Sequence, residues 1–148
     1  MTLKDRLIRL IETGGPIPVS TYMQLCLHDT AQGYYATRPG IGKDFITAPE
    51  ISQIFGELIG LWLVHEWKAM GSPEEIRIVE IGPGRGALMQ DALRLGMVAG
   101  GEDFAKAMRL TLVEPSPAMR DIQRDALAAA QPDFVSTLAE VPAGPMLL

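Results

Sequence analysis

Three glycines at alternate positions, Gly82, Gly84 and Gly86, follow a short apolar run that carries an acid, Arg77-Ile78-Val79-Glu80-Ile81. Glycine removes Cβ from a turn, so a ligand can meet the backbone there. Ile76, Ile78, Val79 and Ile81 are β-branched, the pattern of a parallel strand covered on both faces. Ala87-Leu88-Met89-Gln90-Asp91-Ala92-Leu93 then resumes with helix formers. The stretch reads as strand, glycine turn and helix. A helix N-terminus offers unpaired N–H groups and a positive dipole end. Phosphates suit such a place; Glu80, an acid at the strand end, suits a cationic group better.

Two ligand classes fit the spacing. Gly82-x-Gly84-x-x-Ala87 passes the loose dinucleotide pattern. Gly82-x-Gly84-x-Gly86 behind Glu80 fits the first motif of S-adenosylmethionine (SAM) methyltransferases. The next apolar run, Leu110-Thr111-Leu112-Val113, ends in Glu114, 28 residues beyond Gly86. A carboxylate there can accept hydrogen bonds from both ribose hydroxyls. A dinucleotide fold would use the same acid, usually nearer, about 20 residues on. Three functions stay open at this point: a SAM-dependent methyltransferase, an NAD-binding Rossmann oxidoreductase, and a non-catalytic assembly or interaction module on a methyltransferase fold. A tight turn with no ligand is the plain structural alternative.

A longer block resembles one family. Gly42-Lys43-Asp44-Phe45-Ile46-Thr47-Ala48-Pro49-Glu50-Ile51-Ser52-Gln53-Ile54-Phe55-Gly56-Glu57, followed by Val79-Glu80-Ile81-Gly82-Pro83-Gly84-Arg85-Gly86, looks like the MidA-type proteins. These are SAM-dependent methyltransferases related to mitochondrial complex I assembly factor 7. Tyr22-Met23-Gln24-Leu25-Cys26-Leu27 and Gly33-Tyr34-Tyr35 are similar to the same family's N-terminal region. The resemblance implies an α/β, Rossmann-like SAM methyltransferase fold with SAM as cofactor. For the mitochondrial member it implies arginine methylation of a complex I subunit, and so a protein substrate. Cofactor contacts are expected at Glu80, Gly82, Pro83, Gly84, Gly86, Glu114 and Pro115, with Thr47 and Gln53 walling the pocket. Glu50 and Glu57 are candidate acceptor-side carboxylates, and no base is assigned. Family members are longer, with an Asn-Glu-containing motif after the fourth strand. This sequence stops at Pro145-Met146-Leu147-Leu148, so it is expected to be a fragment whose acceptor-side acid follows Leu148.

Composition narrows the classes. The 148 residues are 47% hydrophobic and 21% charged, ordinary globular values. A formal charge of −5 argues against general nucleic-acid binding and against an anionic membrane surface. One cysteine, Cys26, excludes an internal disulfide framework and fits a reducing compartment. Two histidines and one cysteine without ligand spacing give no zinc site. No apolar run approaches the roughly 18 residues that span a bilayer. The N-terminus lacks the apolar core of a secretory signal, and Asp5 and Glu12 are unlike a transit peptide. The expected compartment is therefore cytoplasmic.

Periodicity and punctuation residues give the scaffold around these candidates. Thr2 can cap a helix over 3–13, stopped by Gly14 and Gly15. Ser20 can cap a second helix, with Cys26 as a small core residue and His28 at its end. Residues 29–44 read as loop, with Tyr34-Tyr35 a short edge strand or hydrophobic anchor. Thr47, Pro49 and Glu50 open a helix to about residue 70. Ile51, Ile54, Phe55, Leu58, Leu61, Trp62 and Val64 cover most of its circumference, which predicts a helix sandwiched between sheet and N-terminal helices. After the glycine turn the helix closes near Gly96, a loop spans 97–103, and a strand covers 110–114. Ser116-Pro117 caps the next helix. Phe134-Val135 and Met146-Leu147-Leu148 begin a third and a fourth strand. The expected division is 1–72, a helical cap and cofactor-covering loop, and 73–148, the first half of a SAM-binding domain with a parallel sheet.

Overall fold

A computed structural model describes residues 1–37 and 47–148, and the chain falls into two units, Met1–Asp44 and Phe45–Leu148. In the first, Thr2 and Asp5 form a reciprocal capping box that starts α1 (Leu3–Gly14), and Gly15 ends it at φ +80°. Helix α2 (Val19–His28) begins after Pro18, earlier than the Ser20 cap expected. Asp29 organises the turn after α2: its carboxylate accepts from the Ala31 and Gln32 N–H groups and from Arg6 at 2.7 Å. Those bonds hold its carboxyl below the usual range. Tyr34 and Tyr35 lie in a short helix, α3 (Tyr34–Thr37), not a strand. Thr37 closes that helix by donating both N–H and Oγ1–H to the Gly33 carbonyl. The glycine-rich segment 38–46, including the Gly42-to-Ile46 start of the family block, lies outside the described residues.

The second unit runs α4 (Ala48–Ile51), α5 (Gln53–Ala69), β1 (Ile76–Ile81), α6 (Ala87–Ala107), β2 (Met108–Val113), α7 (Pro117–Ala126), β3 (Asp133–Val135) and β4 (Met146–Leu147). The sheet order is β3-β2-β1-β4 with every described pairing parallel. This is the first part of a Rossmann-like order, and the strand sequence reverses direction beside β1. Ile76, Ile78, Leu110 and Leu112, all nearly inaccessible, form one face of the core with Leu63, Trp67, Met89 and Phe104. Trp67 and Phe104 meet edge to face at 5.3 Å, a preferred aromatic geometry.

Several expectations are corrected here. The helix expected over 47–70 is broken at Ser52, whose φ of −146° is extended. Thr47 caps only the first piece, and the N–H of Ser52 returns to the Ala48 carbonyl. The apolar residues expected to cover α5 are not uniformly buried: Ile54, Phe55, Leu58 and Trp62 are exposed, while Gly56, Gly60, Leu63, Val64 and Trp67 are buried. Two glycines let α5 settle onto α6, within the unit that begins at Phe45. Helix α6 continues through the expected loop to Ala107, with one non-helical residue, Gly101 at φ +65°. The burial of Phe104 in the core holds that last turn down despite three nearby glycines. Among the described residues, no helix is long and apolar enough to cross a membrane.

Candidate functional site

The turn after β1 is built by backbone bonds. The Gly82 N–H donates to the Val113 carbonyl at 3.1 Å, extending the β1–β2 ladder by one residue. The Gly86 N–H closes the turn on the Pro83 carbonyl at 2.8 Å, and the Gly86 carbonyl then accepts from Gln90 to start α6. All three glycines have left-handed φ: +64°, +56° and +84°. A side chain there is strained, so the sequence needs glycine at each. Their surroundings differ. A Cβ on Gly82 would meet nothing within 4 Å, whereas one on Gly86 would lie 3.3 Å from Leu127 Cδ1. The Cβ side of Gly86 therefore faces packed protein.

Both acids lie at the sheet end that carries this turn. Glu80 pairs in register with Leu112, and Glu114 lies two residues beyond Leu112. Side chains alternate along a strand, so both acids leave the sheet toward the same face. The Glu80 Oε2 is shielded from solvent and has no hydrogen-bond partner among the described residues. Burial alone pushes its carboxyl up to about 7. An unpaired carboxylate in that position is expensive unless a cation neutralises it. Glu114 is 8% exposed. Its Oε1 accepts the Ser116 N–H at 2.8 Å, and its Oε2 accepts from Gln123 Nε2 at 3.2 Å. A carboxylate offers about four acceptor positions, and these two donors take two of them. Pro115 links Glu114 to Ser116, which caps α7 by accepting the Met119 N–H.

Gln123 was missed by sequence reasoning. It is wholly buried, and its Nε2 also donates to the Gly84 carbonyl at 2.8 Å. Protein atoms thus tie Glu114 to the turn. The only sequence signal was position: Gln123 comes four residues after Met119, on the inner stripe of an otherwise polar helix.

The other candidates are placed differently. Helices α5 and α6 run in the same direction, since Gly56 faces Leu88 and Asp91 while Gly60 faces Ala92. The start of α5, and α4 before it, therefore stand at the sheet end that carries the glycine turn. Thr47 and Glu50 are engaged in a capping box, the Thr47 N–H donating to Glu50 Oε2 at 3.1 Å. Gln53 donates to Glu57 Oε1 at 3.0 Å, and the same oxygen pairs with Arg94 at 2.9 Å. Glu50 serves a cap and Glu57 a cross-helix ion pair, and no hydrogen bond among the described residues joins either to Glu80 or Glu114. Among the described residues no cluster of His, Cys, Asp and Glu could hold a metal ion.

This arrangement can be compared with known proteins. A sequence profile of S-adenosyl-L-methionine-dependent methyltransferases matches residues 58–148. The chain is 45% identical over 125 residues to the protein arginine methyltransferase NDUFAF7 homolog, mitochondrial, of Drosophila melanogaster, covering 83% of this chain and 28% of that protein. To the protein arginine methyltransferase NDUFAF7, mitochondrial, of Xenopus laevis it is 45% identical over 127 residues, covering 84% and 29%. A crystal structure from Burkholderia thailandensis, bound to S-adenosyl-homocysteine, matches with a TM-score of 0.75 at 27% identity, covering 97% of this chain and 39% of that one. The chain spans under a third of the length of these two curated relatives. Both are named mitochondrial, which overturns the cytoplasmic expectation.

Proposed function

Because the chain belongs to the family of S-adenosyl-L-methionine-dependent methyltransferases, we propose that it holds SAM between Glu80, the turn at Gly82 and Gly84, and Glu114, and that the whole protein methylates another protein. One observation carries the reading: a carboxylate with one shielded oxygen that has no partner among the described residues, beside a left-handed glycine turn, with a second carboxylate on the same face. Glu80 would receive the ammonium of the methionine tail, directly or through one water. Glu114 would accept from the ribose hydroxyls with the lone pairs that Ser116 and Gln123 leave free. The open space over Gly82 would let the ligand lie against backbone.

When bound, SAM supplies a methyl carbon already made electrophilic by its sulfonium. The protein's share is then to align an acceptor and exclude water. A nitrogen acceptor also needs a carboxylate to orient it and take up its proton. Glu50 and Glu57 are engaged elsewhere in the described residues, so no residue of this chain is assigned that role. The finer proposal, arginine as acceptor in a complex I subunit, is supported by the arginine methyltransferase relatives and by the family resemblance.

Titration of the full-length protein with S-adenosylhomocysteine by calorimetry tests this. We expect saturable binding, abolished by Gly84→Val, whose branched side chain enters a left-handed position. Quenching of tryptophan fluorescence by NADH without any response to S-adenosylhomocysteine would instead favour an oxidoreductase. Binding of neither would leave an interaction module.

A further inference from the structure

We propose that Gln123 is a positioning residue for the cofactor site: its buried amide ties the glycine turn to the ribose-binding acid, so that Gly84 and Glu114 are preset as one unit before ligand arrives. The inference rests on the SAM reading above and adds a residue to it.

The geometry is specific. Gln123 Nε2 donates to the Gly84 carbonyl at 2.8 Å and to Glu114 Oε2 at 3.2 Å, contacts 39 and 9 residues away in sequence. Both partners are acceptors only. The amide orientation is therefore fixed by chemistry, because a flipped amide would set oxygen against oxygen. Only an amide NH₂ has two donors to divide this way without adding charge. A lysine would neutralise Glu114, and a carboxylate would repel it.

The amide oxygen supplies a second, independent observation. Gln123 Oε1 is buried without a partner among the described residues. A residue kept only for packing gains nothing from an orphaned acceptor, which costs about 1–3 kcal/mol. An apolar residue of similar size would remove that cost. Keeping glutamine there makes sense where the two donated bonds are worth more than the orphan. Their effect is to stop the Glu114 carboxylate and the Gly84 peptide from reorienting as ligand binds, which lowers the ordering cost of association.

The decisive variant is Gln123→Met, which preserves length and apolar volume and removes both donors and the orphan oxygen. In the full-length protein we expect S-adenosylhomocysteine affinity to fall about tenfold, the scale of one lost charge-assisted bond. The melting temperature without ligand should fall by a few degrees, because methionine leaves the Gly84 carbonyl and Glu114 Oε2 without their donor. Amide hydrogen exchange in the ligand-free protein should quicken at residues 82–86 but not in β1 or β2. A double-mutant cycle with Glu114→Ala should be strongly sub-additive. Wild-type protein that fails to bind S-adenosylhomocysteine would defeat the SAM reading and this inference together. Wild type that binds, with Gln123→Met binding as tightly, would defeat this inference alone. Exchange that quickens uniformly through β1 and β2 would reduce Gln123 to a packing residue and overturn it as well.

Discussion

At the scale of single residues, Gly82 and Gly86 share a conformation and differ in purpose. Both have positive φ, so alanine at either should cost about 1–2 kcal/mol in backbone strain. At Gly86 the added methyl must also displace Leu127 Cδ1 from 3.3 Å, whereas at Gly82 it enters open space. We therefore expect Gly86→Ala to lower the melting temperature more than Gly82→Ala. Gly82→Ala should weaken S-adenosylhomocysteine binding more, because its methyl projects where the ligand is proposed to lie. Thermal denaturation and calorimetry on the pair check this, and the opposite ranking of affinities would exchange their roles. Glu80 and Glu114 were legible beforehand because each ends an apolar run, where a buried acid is chemically conspicuous. Gln123 was not, because a glutamine in the polar helix 117–126 reads as a solvent-facing residue. Only the fold reveals that its position faces inward.

Among elements, the α5–α6 contact shows how burial can hide from a hydrophobic pattern. A Cβ on Gly60 would stand 2.0 Å from the Ala92 carbonyl oxygen, and one on Gly56 2.5 Å from Asp91 Cβ. Alanine favours a helix over glycine by about 1 kcal/mol. Yet forcing two packed helices apart costs about 1–3 kcal/mol or more, and backbone at Ala92 cannot swing aside as a side chain could. The steric effect should win, so Gly60→Ala is expected to destabilise despite its better helix propensity. Gly14→Ala, with nothing within 4 Å, should instead be neutral or stabilising. Denaturant unfolding of both variants measures the contrast, and a stabilised Gly60→Ala would mean the helices are not in close contact. The same feature explains what the sequence hid. Strand β1, the turn and the Ser116 cap of α7 obey local rules and were readable. The inner face of α5 was misread because glycine carries no hydrophobic signal, and its exposed Ile54, Phe55 and Leu58 carry a strong one. The far end of α6 was misread because Gly100 and Gly101 look like a loop until Phe104 is seen in the core.

For the molecule as a whole, Glu80 links protonation, folding and ligand binding. Burial raises its carboxyl from 4.5 to about 7. A carboxyl with a raised pKa holds its proton more tightly in the folded chain than in the unfolded one. Between about 4.5 and about 7 the folded state binds more protons, so stability falls as pH rises through that window and levels off above it. The full effect is on the order of 3 kcal/mol at 1.36 kcal/mol per unit, an upper figure because the residue is not fully buried. Glu80→Gln should remove it, leaving the ligand-free protein several degrees more heat-stable than wild type at pH 8 and little changed at pH 5. Ligand binding should run the other way. A cationic tail pairs with the ionised carboxylate, so S-adenosylhomocysteine should bind more tightly as pH rises from 6 to 8. Below pH 7 that binding should expel a proton from Glu80, visible as a buffer-dependent heat in calorimetry. Wild-type stability and affinity would thus move in opposite directions with pH, and a purely structural acid would shift stability alone. If Glu80→Gln keeps both the affinity and its pH dependence, the cation does not sit at Glu80, and the proposed orientation of the cofactor in this site is wrong.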